Sequence, residues 1–405
     1  MNQSSGEVVM RSQKGQENTP SAAELHAAAR RALLAPGFIG LVGLWAGLIL
    51  APRHAWAGLL LGNFYFVSLS LGGIVFVALT HIFSAGWAVV FRRVPEAMSA
   101  YLPIGAALMF AVFLFGGRQL YDWTQPEVVA NSPLLQHKAP YLNTPFFLVR
   151  MAVAFGIWIV FGSLLRYHSA QQDADGDLRH TRKNLTNSAI FLLLFTITFI
   201  FASIDWLMSL EPRWYSTMFP LYCCAGLLLG STAAMSLLVI FFRRHGFLTG
   251  VSEHHVYELS RITCAVSVFW AYIWFSQFML IYYTNIPEEA VYFARRLVGA
   301  WRLLFLANVA LNWLVPMLLL ISAAARRSEK WLLTASTVVL VGRWVDLYLL
   351  IVPSIQHPSR LGWVEVPIFL GFLPLFVLSV ISAFRKSPPM PMRDPYLIES
   401  VHFHA

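Results

Sequence analysis

The stretch Ser203-Ile-Asp-Trp-Leu-Met-Ser-Leu-Glu-Pro-Arg-Trp-Tyr-Ser-Thr217 sits between two apolar runs, Ala189 to Phe201 and Met218 to Phe242. Each run, with its flanks, approaches the ~20 apolar residues that cross a bilayer. Pro212 disfavours helical geometry at Glu211, so the incoming helix is expected to stop there. At ~1.5 Å rise per residue, Asp205 then lies roughly 9 Å below Glu211, inside the membrane but near one face. An ionised carboxylate at that depth is costly and marks a functional candidate. It can hold or pass a proton, bond a polar headgroup, or serve as a structural acid paired to a neighbouring helix.

Working outward, the same pattern recurs. Of the 405 residues, 58% are hydrophobic and 12% charged, and mean hydropathy is +0.62. Soluble proteins carry about 25% charged residues, so the chain reads as an all-α polytopic membrane protein. Ten spans are expected, at about 33–51, 56–82, 101–117, 145–166, 187–210, 217–242, 262–284, 300–324, 331–352 and 363–384. Residues 1–32 form a polar tail without the apolar core of a signal peptide, disordered or partner-bound. Residues 33–385 form the membrane domain, and 386–405 a second tail.

Lysine and arginine placement sets the orientation. With the amino terminus inside, 19 of the 29 basic residues fall on the cytoplasmic side, among them Arg11, Lys14, Arg92, Arg93, Arg243 and Arg244. Both termini are then cytoplasmic. The net charge of +9 is thereby a topology signal and implies no nucleic acid.

A four-helix offset relates Val-Phe-Arg-Arg (90–93) to Phe-Phe-Arg-Arg (241–244), Arg150 to Arg302, and Asp205 to Asp346. It predicts two similarly oriented four-helix bundles, about 56–210 and 217–352, with the first and last spans peripheral. Parallel repeats of this kind occur in membrane proteins.

Buried charge collects in the outer half of the membrane: Arg150, Asp205, Arg343 and Asp346, with Glu211 at the rim. Arg343 and Asp346, spaced i,i+3, can neutralise one another on one helix face, which favours a structural reading. Asp205 has no partner nearby in sequence and needs Arg150, Arg343, a water or a ligand. Ser209, one turn on, extends a polar stripe toward Glu211 and Tyr215. His81, at the inner end of its span, is suited to proton transfer by its ordinary pKa of ~6.5; an interfacial structural role fits equally.

Histidines are otherwise in loops, tails or helix ends, which disfavours bis-histidine haem. His254, His255 and Glu258 form a loop cluster, with a solvated loop the plainer reading. There is no CxxC or CxxCH, so covalent haem and iron–sulfur ligation are not expected. No P-loop, nucleophile elbow or HExxH supports soluble hydrolase chemistry, and no metal site is expected.

Ser-x-Asp-Trp-x-Met-Ser-Leu-Glu-Pro-x-Trp-x-Ser-Thr (203–217) and Phe-Ser-Gln-x-x-x-x-Tyr-x-x-Asn-Ile-Pro-Glu-Glu (275–289) resemble the NrfD-like membrane subunits of alternative complex III. The second, ActF-type, subunit is the nearer likeness. Arg-Arg-Val-Pro-Glu (92–96) and Gly-Arg-x-x-Asp-Leu-Tyr (342–348) share it, and the resemblance covers most of residues 35–385. Thr284 and Ala290 depart from the pattern, where alanine and threonine are expected.

The resemblance implies ten helices in two four-helix bundles, within a quinol:cytochrome c oxidoreductase of a bacterial cytoplasmic membrane. It implies a quinone or menaquinol as candidate ligand. Its implied partners are a second NrfD-like subunit, an iron–sulfur subunit and c-haem subunits, alongside lipid. The chain itself would carry no redox centre and would not be an enzyme alone. Asp205, Glu211, Ser209 and Tyr215 would form an outer proton or quinol path, tuned by Arg150, Arg343 and Asp346, with His81 on a separate inner entry. A secondary transporter, a structural scaffold, and the anchor of a molybdenum or iron–sulfur oxidoreductase are the rival expectations.

Overall fold

The computed structural model describes residues 21–355 and 362–404. Among them there are helices and no strands. Among the described residues nine helices are long and apolar enough to cross a membrane, or ten when a bent pair counts as one span. We number the long helices α1 (Leu34–Leu50), α2 (Pro52–Ile82), α3 (Arg93–Leu120), α4 (Thr144–Asp175) and α5 (Leu178–Leu210). The others are α6 (Phe219–Arg244), α7 (Glu253–Thr284), α8 (Ala300–Leu319), α9 (Glu329–Ile355) and α10 (Glu365–Phe384). The protein is an all-α multi-pass membrane protein.

The bent pair is α1 and the short helix before it, at 42°. Seventeen residues make α1 about 25 Å long, short of a ~30 Å hydrocarbon core. The preceding Ala22–Ala32 was expected to belong to a disordered or partner-bound tail, but it is helical. A capping box between Ser21 and Glu24 starts it, and Arg30 and Arg31 lie in its last turn. Residues 1–20, with Arg11 and Lys14, lie outside the described residues.

Helices α2–α5 pack on one another, as do α6–α9, and α2 meets α6 and α9 between the two groups. The two leading helices, α2 and α6, are the most enclosed. Helix α10 lies against α1 and α2. A Cβ at Gly40 would stand 2.2 Å from the Cα of Gly371, so two glycines set how closely α1 and α10 approach.

The helix ends define two faces. One carries Arg92, Arg93, Arg243 and Arg244 and is called the basic face here; the other carries Glu211 and is called the far face. On the basic face the Arg-Arg-Val-Pro-Glu motif is a closure. Arg93 donates to Glu96 at 2.8 Å and pairs with Asp173, while Arg92 pairs with Asp394. The C-terminal segment is held there too, with Ser400 Oγ donating to the Trp87 carbonyl at 2.7 Å.

Several boundaries differ from expectation. The α-helical part of α5 ends at Trp206, and a 3-10 turn over Met208–Leu210 follows before Pro212. Asn-Ile-Pro-Glu-Glu opens a ten-residue helix, Pro287–Arg296, rather than a plain turn. Pro353, expected between spans, is inside α9. Helix α8 contains a wide π turn at Ala310–Leu314. Pro316 explains the widening, because it has no N–H for the Asn312 carbonyl one turn back. That carbonyl is taken instead by the Ser267 hydroxyl of α7, at 2.6 Å.

Candidate functional site: buried charge beneath the far face

Three charged clusters lie in the far half of the helices. The first joins α4 to α5. Arg150 donates to Asp205 through Nε at 2.6 Å and Nη2 at 2.9 Å, and its Nη1 reaches the Tyr141 carbonyl at 3.1 Å. Its guanidinium lies 4.0 Å from the Tyr141 ring centre and 4.2 Å from that of Phe146. Asp205 is 2% exposed. Its partner, 55 residues away in sequence, is therefore a bidentate arginine, the strongest arrangement for such a pair.

Ser209 does not continue from Asp205 as a stripe. Its hydroxyl donates back to the Asp205 backbone carbonyl at 2.5 Å and accepts from Trp123 Nε1 at 3.3 Å. Tyr215 is 59% exposed.

The second cluster lies within α6, α8 and α9. Asp346 is 1% exposed. It accepts from Arg343, from the Tyr222 hydroxyl and from Asn308 Nδ2, the last at 2.9 Å. Asn312 holds Asn308 in turn, donating to its Oδ1 at 2.7 Å. A Cβ at Gly226 would come within 2.2 Å of Arg343 Nη1, so the guanidinium lies flat on the bare backbone of α6. The expected Arg150–Arg302 correspondence does not carry over: Arg302 is exposed, and Asp346 takes its arginine from its own helix.

The third cluster closes the far face around Arg296, which sequence reasoning missed. Arg296 is 2% exposed. It donates to Glu211 Oε1 at 2.9 Å, to the Leu349 carbonyl at 2.8 Å and to the Tyr292 carbonyl at 2.9 Å. Leu349 is free to accept because Pro353, four residues on, has no N–H to offer. A proline within an apolar span, facing an arginine at the end of a short amphipathic helix, was the available signal. Ser354 donates to Glu211 Oε1 at 2.7 Å, and Arg295 reaches Oε2 at 3.4 Å. Burial pushes the Glu211 carboxyl up; Arg296, Ser354 and Arg295 more than offset this and hold it below the ordinary carboxyl value. The Tyr292 ring stacks on Trp214 with centres 4.0 Å apart, and the Arg296 guanidinium is 3.4 Å from the Tyr292 centre. Trp214 Nε1 donates to the Glu289 carbonyl at 3.1 Å, so the two long sequence motifs meet here.

One space lies between the second and third clusters, and another opens from the third. A void of about 20 Å³ is bounded by Tyr222, Gln277, Tyr292, Arg296, Asn308 and Asp346. That is room for one water with several polar partners. A cavity of about 610 Å³ opens on the far face, bounded by Arg53, Asp122, Glu211, Arg213, Arg295 and Ser354. Tyr292 forms part of both walls. Neither space reaches Asp205.

The chain matches no protein-family model and no curated protein.

His81 is at the opposite face and joins none of these clusters. It borders a cavity of about 190 Å³ with Arg92, Asp394 and Tyr396, and its Nε2 has no hydrogen-bond partner among the described residues. In the expected histidine cluster, His255 is fully buried and its Nδ1 accepts from the Ser252 backbone N–H at 3.0 Å, a helix cap rather than part of a solvated loop. Among the described residues no group of three or more His, Cys, Asp or Glu side chains is placed to hold a metal.

Proposed function

We propose that the chain is a membrane subunit of a quinol-oxidising electron-transfer complex in a bacterial cytoplasmic membrane, and that it provides a proton route to the outer face. The basic face is then cytoplasmic, as the lysine and arginine bias favours. The observation that carries the reading is the run of polar groups from Asp346, past the water-sized void, to Arg296, Glu211 and the open cavity. A buried acid coupled to a surface acid through hydrogen-bonding side chains is what a proton exit requires.

The resemblance of 203–217 and 275–289 to NrfD-like subunits supplies the rest. Quinol oxidation releases two electrons and two protons. Electrons would pass to partner subunits bearing iron–sulfur and c-haem centres; protons would leave through this route. The far cavity fits a quinone headgroup in size, with Arg213 and Arg295 to meet its oxygens and Glu211 to take a proton. When bound, a quinol supplies the electrons and protons. Asp205 belongs to this scheme as the fixed counter-ion of Arg150.

The test is Asp346→Asn in the intact assembly. Quinol oxidation and proton release per assembled complex are expected to fall about tenfold or more, a typical contribution of a positioned acid or base. Asp205→Asn is expected to reduce assembly but to leave turnover of the assembled fraction intact. Unchanged turnover and proton release in Asp346→Asn would end the reading.

One observation favours a second reading, a secondary transporter. The π turn and Pro316 interrupt α8 beside Asp346, which lies only about 6 Å beyond the middle of α9. Interrupted helices next to buried acids are typical of coupling-ion sites. Proton-coupled uptake by the purified chain in liposomes would select that reading.

A further inference from the structure

A groove of about 310 Å³ runs between α3, α4 and α10 on the outside of the first bundle, remote from the far-face clusters. Its polar end carries Arg166, Lys386, Ser99, Ser163 and Ser382; its apolar wall is made by Leu102, Pro103, Trp158 and Ile159. Arg166 is 22 residues from the start of α4, and Lys386 is 21 from the start of α10. At ~1.5 Å per residue both cations sit about 32–33 Å from the far ends of their helices, where a ~30 Å hydrocarbon layer gives way to headgroups. Trp158 is about 12 Å deeper, at acyl-chain level.

Arg166 makes one side-chain hydrogen bond among the described residues, to the Ser99 hydroxyl at 3.4 Å, and neither Arg166 nor Lys386 forms an ion pair among them. Glu96 borders a small space of about 40 Å³ that both cations also line. Glu96 is already engaged by Arg93 at 2.8 Å and Arg92 at 3.8 Å. Arg92 and Arg93 are also paired with Asp394 and Asp173, so that cluster offers one net negative charge and the groove keeps one net positive charge at headgroup depth above an apolar trough. The amphipathic helix Ala22–Ala32 borders it, with His26 Nε2 at 3.1 Å from Ser382 Oγ.

We propose that this groove binds one anionic phospholipid, with Arg166 and Lys386 holding the phosphate and an acyl chain lying along Pro103, Ile159 and Trp158. Charge selects an anionic lipid over a zwitterionic one, because the single acid beside them, Glu96, cannot neutralise both cations. The apolar trough selects a lipid over free phosphate. The site is independent of the proton route proposed above.

The experiment uses the protein in the assembly in which it purifies, incubated with phosphatidylglycerol or phosphatidylcholine bearing a photoactivatable group on the acyl chain. Mass spectrometry then locates the adducts. Phosphatidylglycerol is expected to label residues 99–103 and 158–163, with phosphatidylcholine at least tenfold weaker and excess inorganic phosphate without effect. Arg166→Gln combined with Lys386→Gln is expected to lower labelling by about ten- to thirty-fold, as each basic residue near an anionic headgroup contributes about a factor of five. The proposal is overturned if both lipids label equally, if these segments stay unlabelled, or if labelling survives in the double variant. Displacement by inorganic phosphate would overturn it in favour of a free-anion site. The wild-type comparison of lipids decides the matter even if the double variant fails to fold.

Discussion

Replacing Arg296 by methionine tests the far-face closure most directly. The substitution keeps an apolar stem of similar length while removing every donor of the guanidinium. Glu211 would keep Ser354 at 2.7 Å and the half-exposed Arg295 at 3.4 Å, so its charge would be undercompensated. Breaking a buried pair in this way costs about 3–5 kcal/mol. The open cavity beside Glu211 lets water recover part of that. The Leu349 carbonyl would lose the Nε donor at 2.8 Å, and with Pro353 one turn on it has no helical donor either, a penalty of about 1–3 kcal/mol. We therefore expect a net loss of about 3–5 kcal/mol. Pro353→Ala supplies the missing N–H, so in the methionine background it should restore about 1 kcal/mol that it does not add in the native one. Equilibrium unfolding in mixed detergent–SDS micelles, followed by far-UV circular dichroism, gives all four corners of this cycle. A loss under about 1 kcal/mol for Arg296→Met, or an equal effect of Pro353→Ala in both backgrounds, would refute the reasoning.

Three further outcomes are expected. Gly226→Ala places a methyl where Arg343 Nη1 now lies 2.2 Å from the ideal Cβ position; it should lift the guanidinium off α6, strain the Asp346 cluster and cost about 1–3 kcal/mol, read as a lower unfolding midpoint. Ser267→Ala should leave the Asn312 carbonyl without a donor and cost about 1–3 kcal/mol, with Pro316→Ala partly restoring it in the same assay. Glu211, held below its ordinary value of 4.5, binds a proton more readily when unfolded. Its contribution to stability should be complete above about pH 4.5 and disappear as the pH falls through the lower folded value, and Glu211→Gln should flatten that decline in unfolding midpoints.

Hydropathy alone carries the membrane class and nearly every span, because ~20 apolar residues have few other uses. The i,i+3 pairing of Arg343 with Asp346 was also legible, since helix geometry is local. What escaped was non-local. The partner of Asp205 stands on another helix, so in sequence the acid looked solitary and Arg150 was only one of several candidate partners. Arg296 went unread because its partners Leu349 and Glu211 are brought beside it only by the fold. The capping box of Ser21 and Glu24 was legible as a helix start, but the polar composition around it suggested a tail. Pro316 signalled a defect in α8 without saying which neighbour would mend it.

The contact of Gly40 with Gly371 makes the first and last long helices neighbours. During synthesis at about 5–20 residues per second, roughly 330 residues and some 15–65 s separate the emergence of those two glycines. Until then, the face of α1 that α10 will cover stays exposed to the bilayer or its insertion machinery. A nascent chain halted after α9 would have its other long helices in place, yet its leading helix would lack a lasting berth.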